Sequence, residues 1–521
     1  MDTTQVLVIG AGLAGSSAAL FLAQQGIDVT LVEKHPGTSL HPKAAGQYPR
    51  TMQLMHIGGV ADEILAASHG MQGGLTIKIA ESVHGKVFNT IMAGGEDFDL
   101  SAITPFPLGM ATQDKAEPIL LGKAQQYKAK VRFRTEVVSL DQDDTGVTAR
   151  LLDRDTERVT ELRADYVVAA DGHRGGTRTK LGIGRQGKGS LSSVVGVLFK
   201  ADLGGHVEHD TSLLYYLQNP AFTGVFGGAT DSDSYIFGID YHPDRGESAA
   251  DFTRERIVEL MRIALDKPDL EPDIITVQAW EMAAWLADRF RDGRIFLAGD
   301  AAKVTPPTGG MGGNTAVQDG YDIAWKLAAV LNGHAGPGLL DSYEAERRPI
   351  AEMVITTSLY NAKERLFPDL DLSDVPPPPA DMLGLMGGFR YRSAAIIPDQ
   401  GDDDPAPAEN PFMATGRPGF PAPHVPVDVD GKSSTVELFG PEWTLVCGKD
   451  DARWRAAAAA TGLPIRVYGA ELPDAVAAKY GLGPTGASLI RPDAMVAWRA
   501  VEAPEDPTAA LTAAVAAILD R

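Results

Sequence analysis

The sequence predicts an α/β chain: a doubly wound domain, an antiparallel-sheet domain inserted into it, and a small C-terminal α/β module. Three observations lead there. A strand, a glycine-rich turn, a helix and a second strand open the chain. A second strand–glycine–helix unit recurs near residue 300, and the stretch between the two alternates apolar and polar residues. At 521 residues the chain is long enough for roughly three domains.

Gln5 to Ile9 is short and apolar, Leu13 to Gln25 is rich in Ala and Leu at helical spacing, and Asp28 to Val32 is β-branched. This is a β-α-β unit, whose parallel strands imply a doubly wound, Rossmann-like domain. Strand-like runs follow at Val131 to Leu140, Tyr166 to Ala170 and Arg294 to Ala298, and a helix is predicted from about Asn314 to Leu331. Between 185 and 285, Ser193 to Ala201, Ser212 to Leu217 and Tyr235 to Tyr241 alternate as half-buried strands, with one helix at Arg254 to Leu265. Pro376 to Pro379 and Gly401 to Pro407 have linker composition. Beyond them the order is strand (Trp443 to Cys447), helix (Asp451 to Thr461), strand (Ile465 to Tyr468), hairpin (Ser488 to Arg491 and Met495 to Arg499) and helix (Pro507 to Asp520). That order suggests a thioredoxin-like fold without the C-x-x-C needed for thioredoxin chemistry. The expected partition is 1–75, 105–184 and 286–400 for three parts of the doubly wound domain. The inserted sheet takes 76–104 and 185–285, and the tail takes 401–521.

Composition excludes several classes. A net charge of −22 opposes nucleic acid and anionic membrane surfaces. No apolar run approaches the roughly 18 residues of a membrane span, and the first strand begins where a signal peptide would lie. Cys447 is the single cysteine, so neither an internal disulfide nor a cysteine-rich metal site is expected. The 11 histidines are scattered, and no metal is expected. These features point to a cytoplasmic protein, monomeric or homodimeric.

The segment Gly10-Ala-Gly-Leu-Ala-Gly15 matches G-x-G-x-x-G between a strand and a helix. Gly10 makes the turn, Gly12 lets backbone approach a pyrophosphate, and Gly15 packs helix on strand. The helix N-terminus, with Leu13 and Ala14 in its first turn, then faces the negative charge. Glu33, with Lys34 beside it, ends the second strand where a carboxylate accepts from ribose hydroxyls; it suits FAD or NAD rather than NADP. The same pattern at Gly182 to Gly187 and Gly481 to Gly486 lacks the strand and helix around it and reads as turns.

Two further segments resemble the fingerprints of the aromatic-hydroxylase family of flavoproteins. Tyr166-Val-Val-Ala-Ala-Asp-Gly172, with Arg178 and Leu181-Gly182-Ile183, is similar to its D-G motif, which in the family serves FAD and the reduced nicotinamide; Gly175 replaces the usual small hydroxyl residue. Gly293-Arg-Ile-Phe-Leu-Ala-Gly-Asp-Ala-Ala302, followed by Pro306-Pro-Thr-Gly-Gly-Met-Gly-Gly-Asn-Thr315, is similar to the G-D motif. The resemblance implies that Asp300 bonds the ribityl hydroxyls. It also implies that Gly312, Gly313 and Asn314 open a helix whose amides face the pyrophosphate and the flavin O2 edge, where reduced flavin is anionic. Lys303 stands where much of the family has histidine. By the same resemblance Lys43, Arg50, Gln113 and Val137 contact the cofactor and Pro306 and Pro307 border the flavin face, with Asp171 contributing from the D-G motif. The likeness spans essentially the whole chain and is greatest to bacterial hydroxylases that tailor aromatic polyketides, on Lys303 to Asn314 and Gly388-Phe-Arg-Tyr-Arg-Ser393.

The resemblance implies a p-hydroxybenzoate hydroxylase-like fold with a C-terminal thioredoxin-like domain. It implies FAD as cofactor, NADPH or NADH and O2 as co-substrates, a C4a-hydroperoxyflavin, and a polycyclic phenol as substrate. The protein would hold the ring, favour the phenolate and exclude water. An arginine suits the second task, and position points to Arg365, with Arg390 and Arg392 as rivals. Tyr216, on a strand with Tyr215 pointing the other way, is the candidate tyrosine. Phe222, Phe226, Phe237 and Met311 are candidate pocket residues. Two readings stay open beside this one: Baeyer–Villiger oxygenation of a ketone, and a non-catalytic flavin- or ligand-binding partner in a biosynthetic complex.

Overall fold

The computed structural model describes residues 1–68, 75–93, 99–203, 205, 207, 212–228 and 234–521; residues 94–98 of the expected 76–104 segment lie outside them. Strand Asp2–Ile9 lies parallel between Val29–Val32 and Val159–Ala169, with Lys130–Arg132 and Ile295–Leu297 extending the parallel array on either side. This is the doubly wound sheet, drawn from separate stretches of chain. An antiparallel meander, Thr135–Asp143 and Gly146–Asp153, joins it through Val159–Ala169. The single strand expected over Val131 to Leu140 is therefore two. Arg134, with φ of 52°, turns the chain between them.

Helices Leu13–Gln24 and Met311–Leu331 pack against each other on this sheet. A side chain at Gly320 would place its Cβ 2.4 Å from the Ala14 carbonyl oxygen, so only glycine permits the approach. Met311–Leu331 is buried along most of its length, Trp325 and Tyr321 included. Helix Asp341–Arg365 follows it and runs on towards the second sheet.

The second sheet has eight strands in the order Lys303–Val304, Asp273–Ala287, Arg185–Lys200, Ser234–Tyr241, Phe222–Gly228, Ser212–Asn219, Leu75–Ala80, Val87–Ala93. It corrects the expectation of a purely antiparallel sheet, because Ser212–Asn219 and Leu75–Ala80 run parallel. Leu75–Ala80 arrives from the first domain rather than through a hairpin, which removes the constraint that makes neighbours antiparallel. One face of the sheet buries Phe199, Phe226, Phe237 and Ile239 against helix Arg254–Ala264. Its other face looks towards the doubly wound domain.

In the tail, Trp443–Cys447 pairs in parallel with Ile465–Tyr468 and antiparallel with Ala487–Ile490, and Val496–Ala500 completes four strands. The tail is not a separate body. Trp443, Leu445, Trp454 and Leu511 belong to the same apolar core as Val6, Phe21 and Trp325, and the Trp325 and Trp443 rings meet edge-on at 6.2 Å. Among the described residues no helix is long and apolar enough to cross a membrane.

Buried charge stitches the same junction. The Lys326 ammonium lies 2.7 Å from both Asp322 and Glu346, and Arg491 in the tail lies 2.6 Å from both Glu346 and Asp493. Asp322, Glu346 and Asp493 bring their oxygens within 4.8 Å of one another, as metal ligands do, but Lys326 and Arg491 already pair with all three. Although burial alone would raise it, the Glu346 carboxyl is held below its ordinary range by Arg491 and Lys326. Removing this shared carboxylate leaves Lys326 paired with Asp322 and Arg491 with Asp493, each short of one buried partner, at a cost of about 3 kcal/mol. Glu346→Ala is accordingly expected to lower the thermal unfolding midpoint, followed by circular dichroism. A midpoint equal to that of the unaltered protein would show that the network does not hold the tail.

Candidate active site

Between the two sheets lies a cavity of about 1930 Å³, larger than the roughly 300–1,000 Å³ usual for a single small ligand. Its construction begins at the first glycine loop. Gly10 takes φ of 100°, and a Cβ there would fall 2.4 Å from the Ala170 carbonyl oxygen; one at Gly15 would fall 1.9 Å from the Gly10 carbonyl oxygen. These two glycines are packing requirements. At Gly12 a Cβ would meet nothing nearer than Glu117 Oε1 at 3.7 Å, and the helix beginning at Leu13 has no side-chain cap. Gly12, Leu13 and Ala14 therefore present uncapped backbone to the cavity they line. Just outside the wall, Glu33 accepts from the Ala11 amide at 2.9 Å and the His35 amide at 2.9 Å. Lys34 beside it is exposed.

Opposite this loop, strand Ile295–Leu297 ends in the turn Gly299–Ala301, and Asp300 faces the cavity. Its carboxylate accepts no hydrogen bond from any described residue. It is exposed to the cavity, where desolvation by the surrounding walls raises its pKa while Lys303, His173 and Lys43 pull the other way. The turn is held from behind. Asp319 accepts the Gly299 amide at 3.1 Å and Arg347 Nε at 2.8 Å, and it pairs with Lys303. Gly310 then starts helix Met311–Leu331 with φ of 63° and no side-chain cap, and Gly312 and Gly313 line the cavity beside Pro307. Lys43 and Gln113 complete this half of the wall.

Several predicted residues stand behind the wall rather than in it. Asn314 turns away and ties the loop to the helix: its Oδ1 accepts the Tyr48 amide, and its Nδ2 donates to the Gly46 and Gly310 carbonyls, each at 2.8 Å. Asp171 accepts the Thr177 amide at 3.0 Å, and a Cβ at Gly175 would fall 2.2 Å from its Cγ, so the missing hydroxyl residue makes room for this bond. Arg178 donates to the Ile183 carbonyl at 2.5 Å. Val137 is half-buried in its strand, outside the wall. Arg50 is a correction of position. Its helix, Pro49–Ile57, turns it from the cavity, and the buried guanidinium donates to Gln53 at 2.7 Å and to the Asp493 carbonyl in the tail.

At the far side the structure brings Arg365 and Tyr216 together. Strand alternation sends Tyr215 into the apolar core and Tyr216 to the cavity. Arg365, the last residue of its helix, lies with Nη1 at 3.5 Å from the Tyr216 hydroxyl and its guanidinium 5.5 Å from the ring centre. Gln218, two residues on, donates to the Arg365 carbonyl at 2.9 Å and fixes the helix end. Arg365 Nε is buried without a partner among the described residues. The rivals are engaged elsewhere: Arg390 pairs with Asp402, and Arg392 donates to the Asp404 carbonyl. Of the predicted apolar residues Phe226 and Phe237 border the cavity from strands whose side chains there pack into the apolar core of the second sheet, whereas Phe222, Pro306 and Met311 do not border it.

Tyr48 is the residue that sequence reasoning missed. It sits between the predicted Lys43 and Arg50, donates to the Gly309 carbonyl, and lines the same wall. Burial raises its pKa to about 12, and Arg365 and Tyr216 are near enough to act on it electrostatically. Burial raises Tyr216 as well, with Arg365 opposing. Both tyrosines are therefore neutral donors at physiological pH.

Comparison with known proteins accords with this geometry. Residues 3–358 match the family model described as FAD binding domain, and residues 415–521 match that described as Aromatic-ring hydroxylase, C-terminal. Aklavinone 12-hydroxylase RdmE of Streptomyces purpurascens is 49% identical, over 99% of each chain. Tetracenomycin A2 monooxygenase-dioxygenase of Streptomyces glaucescens is 36% identical, over 100% of this chain and 97% of that protein. The crystal structure of aklavinone-11 hydroxylase in ternary complex with FAD and aklavinone superposes with a TM-score of 0.94 at 48% identity, covering 99% of each chain. The chain belongs to the FAD-dependent aromatic hydroxylases, flavoprotein monooxygenases that take their electrons from NAD(P)H.

Proposed function

We propose that the substrate is a polycyclic aromatic polyketide phenol of the aklavinone type, hydroxylated at a ring carbon activated by its phenolate. The observation that carries this reading is Arg365: a buried guanidinium with an unpartnered Nε, beside Tyr216, in the wall of the cavity that also holds Asp300. The relatives' names support the substrate class, since two of them act on aklavinone or tetracenomycin.

The residues present fit FAD. A Cβ at Gly12 would meet nothing closer than 3.7 Å, two helices begin without caps at the cavity wall, and Asp300 lacks any partner among the described residues. Gly12, Leu13 and Ala14, with Gly312 and Gly313, would receive the pyrophosphate and the anionic flavin edge, because helix N-termini favour negative charge. Asp300 would accept from the ribityl hydroxyls and Glu33 from the ribose. Lys43, Gln113 and Pro307 would border the cofactor, while Gly10, Gly15, Asp171 and Asn314 would hold that wall in shape. When bound, FAD supplies the redox chemistry, taking electrons from NAD(P)H and delivering one atom of O2 as an electrophile.

The chain's own task is to prepare the phenol. Arg365 lowers the cost of the phenolate by charge, in a site where little water screens it. Tyr216, a neutral donor, orients the oxygen and leaves the ring carbon facing the cofactor, while Tyr48, whose proton goes to the Gly309 carbonyl, shapes the wall beside it. The apolar sheet face and Leu366 exclude water from the reacting ring. For the tail we propose a thioredoxin-like fold, supported by its parallel pair, following hairpin and closing helix. Its one thiol, Cys447, is buried in a strand, which suits a packing role in the reducing cytoplasm.

Asp300→Ala is expected to purify without flavin absorbance and to bind added FAD weakly; retention of the full flavin spectrum would remove Asp300 from the cofactor site. Arg365→Ala is expected to keep FAD but lose product formation by about a hundredfold, with NAD(P)H consumed and hydrogen peroxide released instead. Full coupled hydroxylation by that variant would take Arg365 out of the mechanism. For the unaltered enzyme, mapping the product by mass and NMR distinguishes a new phenol from the lactone of ketone oxygenation, and a lactone would overturn the reading.

A further inference from the structure

The cavity floor is the inward face of the second sheet, and its character changes along one strand. On Ser234–Tyr241, alternation places Phe237 and Ile239 in the apolar core below, and Ile236, Gly238 and Asp240 on the cavity side. Pairing aligns Tyr216 with Val225, Gly238 and Gly196 across four strands. Two of those four positions are glycine, and neighbouring side chains lie over them: a Cβ at Gly238 would fall 2.8 Å from Val225 Cγ2, and one at Gly196 would fall 3.0 Å from Trp280 Nε1.

Asp240 stands at the other end of that floor, two strand spacings across and two residues along from Tyr216, a separation of about 12 Å. It lines the cavity yet is only 9% exposed. One carboxyl oxygen accepts from Ser192 Oγ at 2.9 Å; the other is buried without a partner among the described residues. Burial raises its pKa to about 7, with only the Ser192 bond opposing and no cation contributing. A buried acceptor left unpaired destabilises a fold unless something else supplies the donor. Nothing in the chemistry assigned to Arg365, Tyr216 and Tyr48 uses it.

We infer that Asp240 accepts a hydroxyl at the end of the substrate remote from the phenol held by Arg365 and Tyr216, and so selects polycyclic phenols that carry a second hydroxyl there. The inference rests on the phenol-pocket reading above and names the group that reads the substrate's far end. A site built around an acceptor discriminates by leaving that acceptor unsatisfied when the matching hydroxyl is missing.

The test compares dissociation constants of the FAD-loaded full chain for 2,6-dihydroxyanthraquinone, with hydroxyls at opposite ends, and 2-hydroxyanthraquinone, read from the flavin spectrum. The unaltered protein is expected to favour the bisphenol by about tenfold. Asp240→Leu should lose that preference by weakening the bisphenol alone, with FAD affinity unchanged. Asp240→Asn, whose amide oxygen still accepts, should keep most of it. Preference retained by the leucine variant, or equal loss for both probes, overturns the assignment of Asp240 while leaving the phenol pocket standing. An unaltered protein that binds neither probe brings down the phenol-pocket reading and this inference with it.

Discussion

Asp319 receives three donors at once: the Gly299 amide, the Lys303 ammonium and the Arg347 guanidinium. None of them touches solvent, and each belongs to a different element. Because a buried carboxylate is tolerated only when its lone pairs are filled, this one contact fixes the relation between the Gly299–Ala301 turn, the helix Met311–Leu331 and the helix Asp341–Arg365. The turn carries Asp300, the first helix carries Gly312 and Gly313, and the second carries Arg365. Cofactor wall and substrate wall thus share one buried anchor.

The distance between those walls is set by a rod. Arg347 at the anchor and Arg365 at the pocket are eighteen residues apart on the helix Asp341–Arg365, or about 27 Å at 1.5 Å per residue. Gln218 clamps the far end through the Arg365 carbonyl, so both domains fix the backbone from which the guanidinium reaches Tyr216. A flexible arginine would lose rotamer entropy on meeting each substrate; this one has lost it on folding. The same logic explains Asn314, which spends all of its hydrogen bonds on the backbone of the loop at 46–48 and the helix start.

What the sequence revealed was local pattern. The glycine loop at Gly10 to Gly15, the Asp300 segment and the facing of Tyr216 depend on spacing within a few residues, and all three stand where expected. The parallel pairing of Leu75–Ala80 with Ser212–Asn219 joins residues more than a hundred positions apart, and alternation has no access to that. Arg50 fits a family position but faces the tail, since the helix it begins could be rotated only by contacts yet unknown from sequence. Tyr48 lay within the loop already singled out and passed unnoticed, because nothing in its neighbours shows that Gly309 would come to meet its hydroxyl. Asp240 reads as an ordinary strand residue until its missing partner is seen.

The shared core of the tail and the doubly wound domain bears on ancestry and exchange. Arg491 and Asp493 in the tail complete charges that begin on Asp322, Lys326 and Glu346, and Trp443 fills space against Trp325. Recombination that joined the first four hundred residues of one relative to the tail of another would import half of a charge balance and half of a packed interior. Lineages of such proteins should therefore inherit the two parts together, and the tail's sequence should track that of the helix Met311–Leu331 more closely than its own exposed surface.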